Sequence, residues 1–273
     1  MNPAATPTPE TQVSYFLSSL ELWQLALIVV VLPTAAAMAA QLLIRKWVGA
    51  DKLAKNNEIA GFKFATVGVI YAVLLAFVVI AVWEKFSEAQ SAVTEEAGAV
   101  AALHHFSEGK EPETVAMQAA LGKYLQAAID DEWPAMSRQG ESPATDHALD
   151  GLYRAATGLN RSGVMGTASM AEVFRLVDEV TAARRTRLHL ATGLVPNVIW
   201  IALFMGALLT VGFTLFFGSE NFIAQVAMTG VLSFLVTMGL VVIVSIDHPF
   251  TGPVHIQPDP LASVLEEFGE ASK

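Results

Sequence analysis

The hydrophobic pattern of the chain is one of blocks. Four runs, at about 22–44, 61–83, 194–217 and 222–246, are apolar for the ~20 residues a helix needs to cross the hydrocarbon layer at ~1.5 Å per residue. Between the second and third runs, hydropathy falls but helical periodicity persists. Residues 84–106 are rich in Ala and Glu without proline, and Val93, Ala97, Val100 and Leu103 keep one face, so the second span is predicted to continue outside the membrane as a single long helix. Gly109 and Pro112 break it. Further helices are predicted at 113–132, with Val115, Leu121, Leu125 and Ile129 as the apolar face, at 145–158, and from 168 to the Arg184-Arg185-Thr186-Arg187 cluster. No segment alternates as a strand does. The expected fold is an all-α membrane protein: four transmembrane helices in two hairpins, with a helical soluble region between the second and third. The predicted divisions are a mobile tail over 1–21, a first hairpin over 22–83, a helical extramembrane domain over 84–193, a second hairpin over 194–246 and a tail over 247–273.

The second span organises the rest. Gly61, Ala65, Gly68, Ala72 and Ala76 recur three or four apart and form a narrow stripe of small residues, which in lipid lets another helix approach closely. The stripe serves either packing within the chain or a subunit or pore-facing contact. Lys63 is the only charge of the span; it either snorkels to the interface or attracts anions at a pore mouth. Thr66 and Tyr71 are candidate pore hydroxyls or interhelical hydrogen-bond donors, and Phe77 belongs to the aromatic and branched set able to form a hydrophobic constriction. Pro33, in the middle of the first span, predicts a kink that is either tolerated or a gating hinge.

Composition then narrows the chemistry. The chain of 273 residues is 53% hydrophobic, contains no cysteine and carries a formal charge of −10. Disulfides and thiolate chemistry are excluded, and a nucleic-acid partner is disfavoured. The first 21 residues hold no Lys or Arg, so the first span is expected to remain rather than to be cleaved as a signal peptide. No constellation of nucleophile, base and orienting group is visible, and no cofactor motif; the chain does not read as an enzyme. Adjacent His104 and His105 diverge by about 100° on a helix and make a poor chelate. His248 and His255 with Asp247 and Asp259 could gather a cation, but their spacing matches no metal motif. Asp130-Asp131-Glu132 lacks the spaced oxygens of a calcium loop and reads as a solvated helix end. No metal site is therefore assigned. Asp247 is expected to bond the backbone of a turn shaped by Pro249 and Gly252.

Three stretches resemble the bestrophin-like domain family of bacterial and plant integral membrane proteins. They are Asn57-Glu58-Ile59-Ala60-Gly61-Phe62 leading into Val67 to Phe77; Trp83-Glu84-Lys85-Phe86 with the following Glu95-Glu96-Ala97; and Asp247-His248-Pro249-Phe250-Thr251-Gly252 after the last span. His248 stands where the family pattern has arginine, so a permanent positive charge is absent there. The resemblance implies a distant relation to bestrophins, which are pentameric anion channels whose second span lines the pore. It therefore implies a homo-oligomer in the cell inner membrane, with the lipid bilayer and small inorganic ions as partners. A non-conducting scaffold or sensor, whose 84–193 region binds a partner, is the alternative.

Orientation divides the two lines of reasoning. Arg45 and Lys46 follow a first span with no preceding positive charge, which puts the 45–60 loop in the cytoplasm and the termini and middle domain outside. The resemblance implies the reverse, since bestrophins keep the middle region in the cytoplasm. A reporter fused after Lys273 decides: activity of a periplasm-dependent reporter follows the charge rule, and activity of a cytoplasm-dependent one follows the resemblance.

Overall fold

The computed structural model describes residues 15–49, 53 and 57–271. Residues 1–14 of the predicted tail, and Lys52 and Lys55 of the predicted basic loop, lie outside them. A helical turn at 15–18 precedes α1 (Leu22–Val48), α2 (Asn57–Phe106), α3 (Pro112–Ala127), α4 (Pro143–Ser162), α5 (Thr167–Leu190), α6 (Asn197–Phe216), α7 (Phe222–Ile246) and α8 (Asp259–Ala271). Among the described residues there is no strand, and α1, α2, α6 and α7 are long and apolar enough to cross a membrane. The chain divides into two units. A membrane unit comprises Met1–Glu84, Gly193–His248 and Gly252–Val254; a helical unit comprises Lys85–Thr192, Pro249–Thr251 and His255–Lys273.

In the membrane unit, the predicted kink at Pro33 takes a specific form. Residues Leu27–Val31 form a π-turn inside α1. Proline lacks the N–H that would bond the preceding turn, and its ring crowds the carbonyl four residues back. A widened turn just before it accommodates both defects without breaking the span. α6 begins at Asn197, not at 194, because Pro196 caps it and the N–H groups of Leu194 and Val195 are engaged by Asp247. The short turn before α7 is pinned from two sides. Arg45 at the end of α1 donates to the carbonyl of Ser219 (2.8 Å) and to Gln225 Oε1 (3.0 Å), and lies over the Phe222 ring. Asn57 at the start of α2 exchanges hydrogen bonds with Gly218, 2.6 and 3.0 Å.

α2 meets α6 and α7 by placing large side chains on glycines. Tyr71 lies against Gly206 and Leu75 against Gly239, and a Cβ built at either glycine would fall under 3.0 Å from that side chain. Close approach of this kind supplies the dispersion contacts that hold helices together in lipid, where water exclusion contributes nothing.

The helical unit has an ordinary aqueous core. Val93, Ala97, Val100 and Leu103 of α2 are buried, as are Leu121 and Leu125 of α3, Leu152 and Leu159 of α4, and Val177 and Val180 of α5. Val115 is exposed, contrary to its predicted place on the apolar face of α3. A π-turn spans Ala128–Glu132 at the end of α3; Ala128 and Glu132 stay on the face that Leu121 and Leu125 bury, and Ile129 is only half-buried. Ser142 caps α4, its hydroxyl accepting from the Thr145 N–H, with Pro143 in the first turn where no hydrogen bond is lost.

Gly206→Leu should force Tyr71 out of its seat. Overpacking of this kind costs about 1–3 kcal/mol. The expected outcome is a lower melting temperature of the detergent-solubilised protein, largely restored in Tyr71→Ala/Gly206→Leu.

Candidate functional site

The membrane half of α2 divides cleanly around its circumference. At about 100° per residue, Tyr71, Val78 and Val82 fall on one side and are buried. Phe62, Val69, Val73, Ile80 and Trp83 fall on the opposite side and are uncovered, with Phe77 at its flank, 68% exposed. Lys63 and Thr66 are also exposed; the Thr66 hydroxyl bonds back to the carbonyl of Phe62 at 3.4 Å. The structure thus separates the predicted ion-path residues. Lys63, Thr66 and Phe77 lie on uncovered parts of the helix, while Tyr71 is 5% exposed and packs on Gly206, so the reading of Tyr71 as a pore hydroxyl is replaced by one of interhelical packing. The small-residue stripe is largely unused within the chain. Ala65, Ala72 and Ala76 are exposed, a Cβ at Gly68 would meet nothing within 4 Å, and only Gly61 approaches a neighbour, the ring of Phe217. Further along α2, in the helical unit, Ser87, Gln90, Ser91, Thr94 and Glu95 line a shallow polar surface pocket.

The turn after the last span is built on Asp247, which is buried. Its Oδ1 accepts the N–H groups of Leu194 (3.0 Å) and Val195 (2.8 Å), and its own carbonyl accepts Leu194 at 3.1 Å. Two N–H groups at the entry of α6 that no helical carbonyl reaches are satisfied in this way. His248 is equally buried. Its Nδ1 lies 3.2 Å from Asp247 Oδ2 and 3.1 Å from the Ser18 hydroxyl, and its Nε2, which has no partner among the described residues, faces Gly193. Gly252, at φ +85°, passes so close to the carbonyl of Ser18 that any Cβ would overlap it. In the helical unit, Pro249 accepts the Ile256 N–H at 2.7 Å, Phe250 packs edge-on to Trp133, and Thr251 donates to the carbonyl of Ser137.

The sequence did not reveal a buried ionic cluster at the heart of the helical unit. Arg187 donates to both carboxylate oxygens of Glu96 (2.7 and 2.9 Å) and to Glu132 Oε2 at 2.8 Å. Arg184 forks on to Glu132 and reaches Asp146 at 2.8 Å. Tyr124 donates to Glu96 at 2.7 Å, and Trp133 stacks under the Arg187 guanidinium. Glu96, Glu132 and Arg187 are wholly buried. Glu132 is therefore not the solvated helix end that its acidic neighbours suggested, and Arg184 and Arg187 are buried. Burial opposes the charge on Arg187, but Glu96 beside it and Glu132 more than offset this and hold the guanidinium firmly protonated; Glu132 does the same for Arg184. Burial, then the Glu96 charge, pushes the Tyr124 phenol well above its usual value. The sequence offered one signal, the i, i+3 arginines facing an otherwise apolar helix face. Among the described residues, the group able to share a metal ion is His104, His105 and Glu108, and not His248 with His255.

The fold is that of the bestrophins. A bacterial bestrophin homolog from Klebsiella pneumoniae superposes with a TM-score of 0.71 at 13% identity, over 88% of this chain and 97% of that one. Two single-substitution variants of it give 0.72 at 12–13% identity, over 88–89% of this chain and 98% of theirs. No curated protein matches the sequence significantly. The bestrophin-like domain matches residues 31–261, and the chain belongs to that family. It is a multi-pass membrane protein.

Two measurements test the ionic cluster. Arg187→Ala, which strands Glu96 without its main partner, is expected to destabilise the unit by about 3–5 kcal/mol, whereas replacing both residues with leucine should cost far less. Because the Tyr124 value is raised in the folded state, the folded protein holds that proton longer than the unfolded one. Its contribution to stability is complete below pH 10 and is lost as pH rises beyond it, by up to about 1.4 kcal/mol per pH unit. Tyr124→Phe should flatten the alkaline fall in melting temperature.

Proposed function

We propose that the protein is an oligomeric ion channel, of anion type, in which α2 lines the pore. The observation that carries this reading is the exposed side of the membrane half of α2, with Phe62, Val69, Val73, Phe77 and Ile80, beside a largely unused stripe of small residues. A helix that supplies both close-approach residues and large apolar ones is suited to ring around an axis. Alanines and glycines allow neighbouring helices to close, and the bulky side chains form a constriction that gates by dewetting. Lys63 is the span's only formal charge, near the start of α2, where a cation raises the local concentration of anions. The family and the fold support the reading at the level of class, since bestrophins are anion channels.

The test is flux in liposomes carrying purified protein, under chloride and potassium gradients. Chloride-favouring flux is expected, with the preference weakened severalfold in Lys63→Glu: a unit charge at ~4 Å in a water-like medium is worth ~1 kcal/mol, and reversal doubles the change. Folded, oligomeric protein that carries no flux above empty liposomes would overturn the channel reading.

A further inference from the structure

α2 ends in His104-His105-Phe106, and the way it ends matters. The Ser107 N–H donates to the carbonyls of Leu103 and His104, and the Ser107 hydroxyl closes on the His104 carbonyl at 2.9 Å. This tight stop turns the following residues back, so that Glu108 Oε1 sits 2.9 Å from His105 Nδ1. The ring of His104 is held from the other side, stacked on Phe268 of α8 with centroids 3.9 Å apart and planes 16° from parallel. The charge of Glu267, also on α8, bears on the same ring. One donor atom from each of His104, His105 and Glu108 lies within 4.8 Å of the other two. The divergence that disqualifies two adjacent histidines inside a helix is offset here by a third donor folded back at its end.

We propose that His104, His105 and Glu108 form a binding site for a transition-metal ion of the Zn²⁺ class. Two imidazoles and a carboxylate suit Zn²⁺, Co²⁺, Ni²⁺ or Cu²⁺, whereas Ca²⁺ and Mg²⁺ call for all-oxygen shells. Donors about 2.0–2.2 Å from a tetrahedral ion are ~3.4 Å apart. The His105–Glu108 contact is already inside that distance, so rotation of exposed side chains is enough to close the set. A fourth position remains for water or for a carboxylate. Because His104 is stacked on Phe268, a bound ion would also fix the end of α2 against α8. The site stands independently of the channel reading.

The experiment is calorimetric titration of tag-free, full-length protein in detergent with Zn²⁺, and Co²⁺ absorption as a report on the donor set. One saturable Zn²⁺ per chain is expected, with visible Co²⁺ bands of a nitrogen–oxygen tetrahedral site. His105→Ala and Glu108→Gln should each lower Zn²⁺ affinity at least tenfold. Their side chains are 76% and 63% exposed, so neither change should disturb the core, which an unaltered melting temperature without metal would verify. His147→Ala and His189→Ala, at exposed histidines elsewhere, should leave the affinity unchanged. The proposal fails if no saturable binding is seen, if His104→Ala/His105→Ala binds Zn²⁺ as tightly as the parent, if the loss follows His147 or His189 instead, or if Ca²⁺ displaces Zn²⁺ at equal concentration.

Discussion

The structure depends on one helix serving two solvents. α2 runs unbroken from Asn57 to Phe106, so each of its interior backbone groups is paired within the helix whether lipid or water lies outside. Only the side chains change along it. In the membrane half, the side facing its own chain carries Tyr71, Leu75, Val78 and Val82; of these, Tyr71 fills the hollow left by Gly206 and Leu75 that left by Gly239. In the helical unit, the corresponding side carries Ala89, Val93, Glu96 and Val100, which join a water-excluding core. The backbone needs no adjustment at the change of medium. The two halves nevertheless cohere by different physics: dispersion and fit in the first, hydrophobic burial in the second.

Within that aqueous core, the cluster of Glu96, Glu132, Arg184 and Arg187 is a costly choice. Removing such charges from water costs several kcal/mol per ion, and their attraction offsets this only when almost every donor and acceptor is engaged. Here the engagement is dense: both oxygens of Glu96 and of Glu132 are used, and Tyr124, Asp146 and Trp133 take up further valences. Such an arrangement adds less to net stability than to uniqueness, because a register slip of α3 or α5 would leave a buried charge unpaired. Glu132 lies on the face that Leu121, Leu125 and Ala128 bury, so helical spacing itself delivers its carboxylate to the core.

What was legible in the sequence follows the same division. The four spans were visible because the bilayer imposes a length of about 20 apolar residues on any helix that crosses it, a constraint that acts on the chain locally. The continuation of α2 beyond Trp83 was visible for a similar reason, in uninterrupted helix formers with an apolar stripe. Asp247 was expected to bond the turn that follows it, with Pro249 and Gly252; its partners are instead Leu194 and Val195, more than 50 residues away in sequence. The ionic cluster was not readable. Glu132 sits behind two other acids and Arg187 in a basic tetrapeptide, and each looks like solvated surface until its partner is brought from more than 50 residues away. Tyr71 was ambiguous for the same reason. Its hydroxyl suggested a polar lining, and only the absence of a side chain at Gly206 explains why the ring turns inward.

The uncovered side of α2 needs a stricter reading than exposure alone, because apolar side chains cost nothing when they face hydrocarbon. α6 and α7 expose Ile201, Leu208, Val231 and Leu235 as freely as α2 exposes Phe62, and for those helices lipid is a sufficient neighbour. What distinguishes α2 is the pairing of sizes. Inside the chain it contributes the large member at two contacts, Tyr71 to Gly206 and Leu75 to Gly239, while of its own small residues only Gly61 nears a neighbour; Gly68 has open space and Ala72 and Ala76 are exposed. Small residues gain little against lipid, whose chains adapt to any surface, and gain much against a helix, whose backbone they allow to draw near. That stripe, left largely empty by its own chain, is the ground on which we propose an assembly around α2.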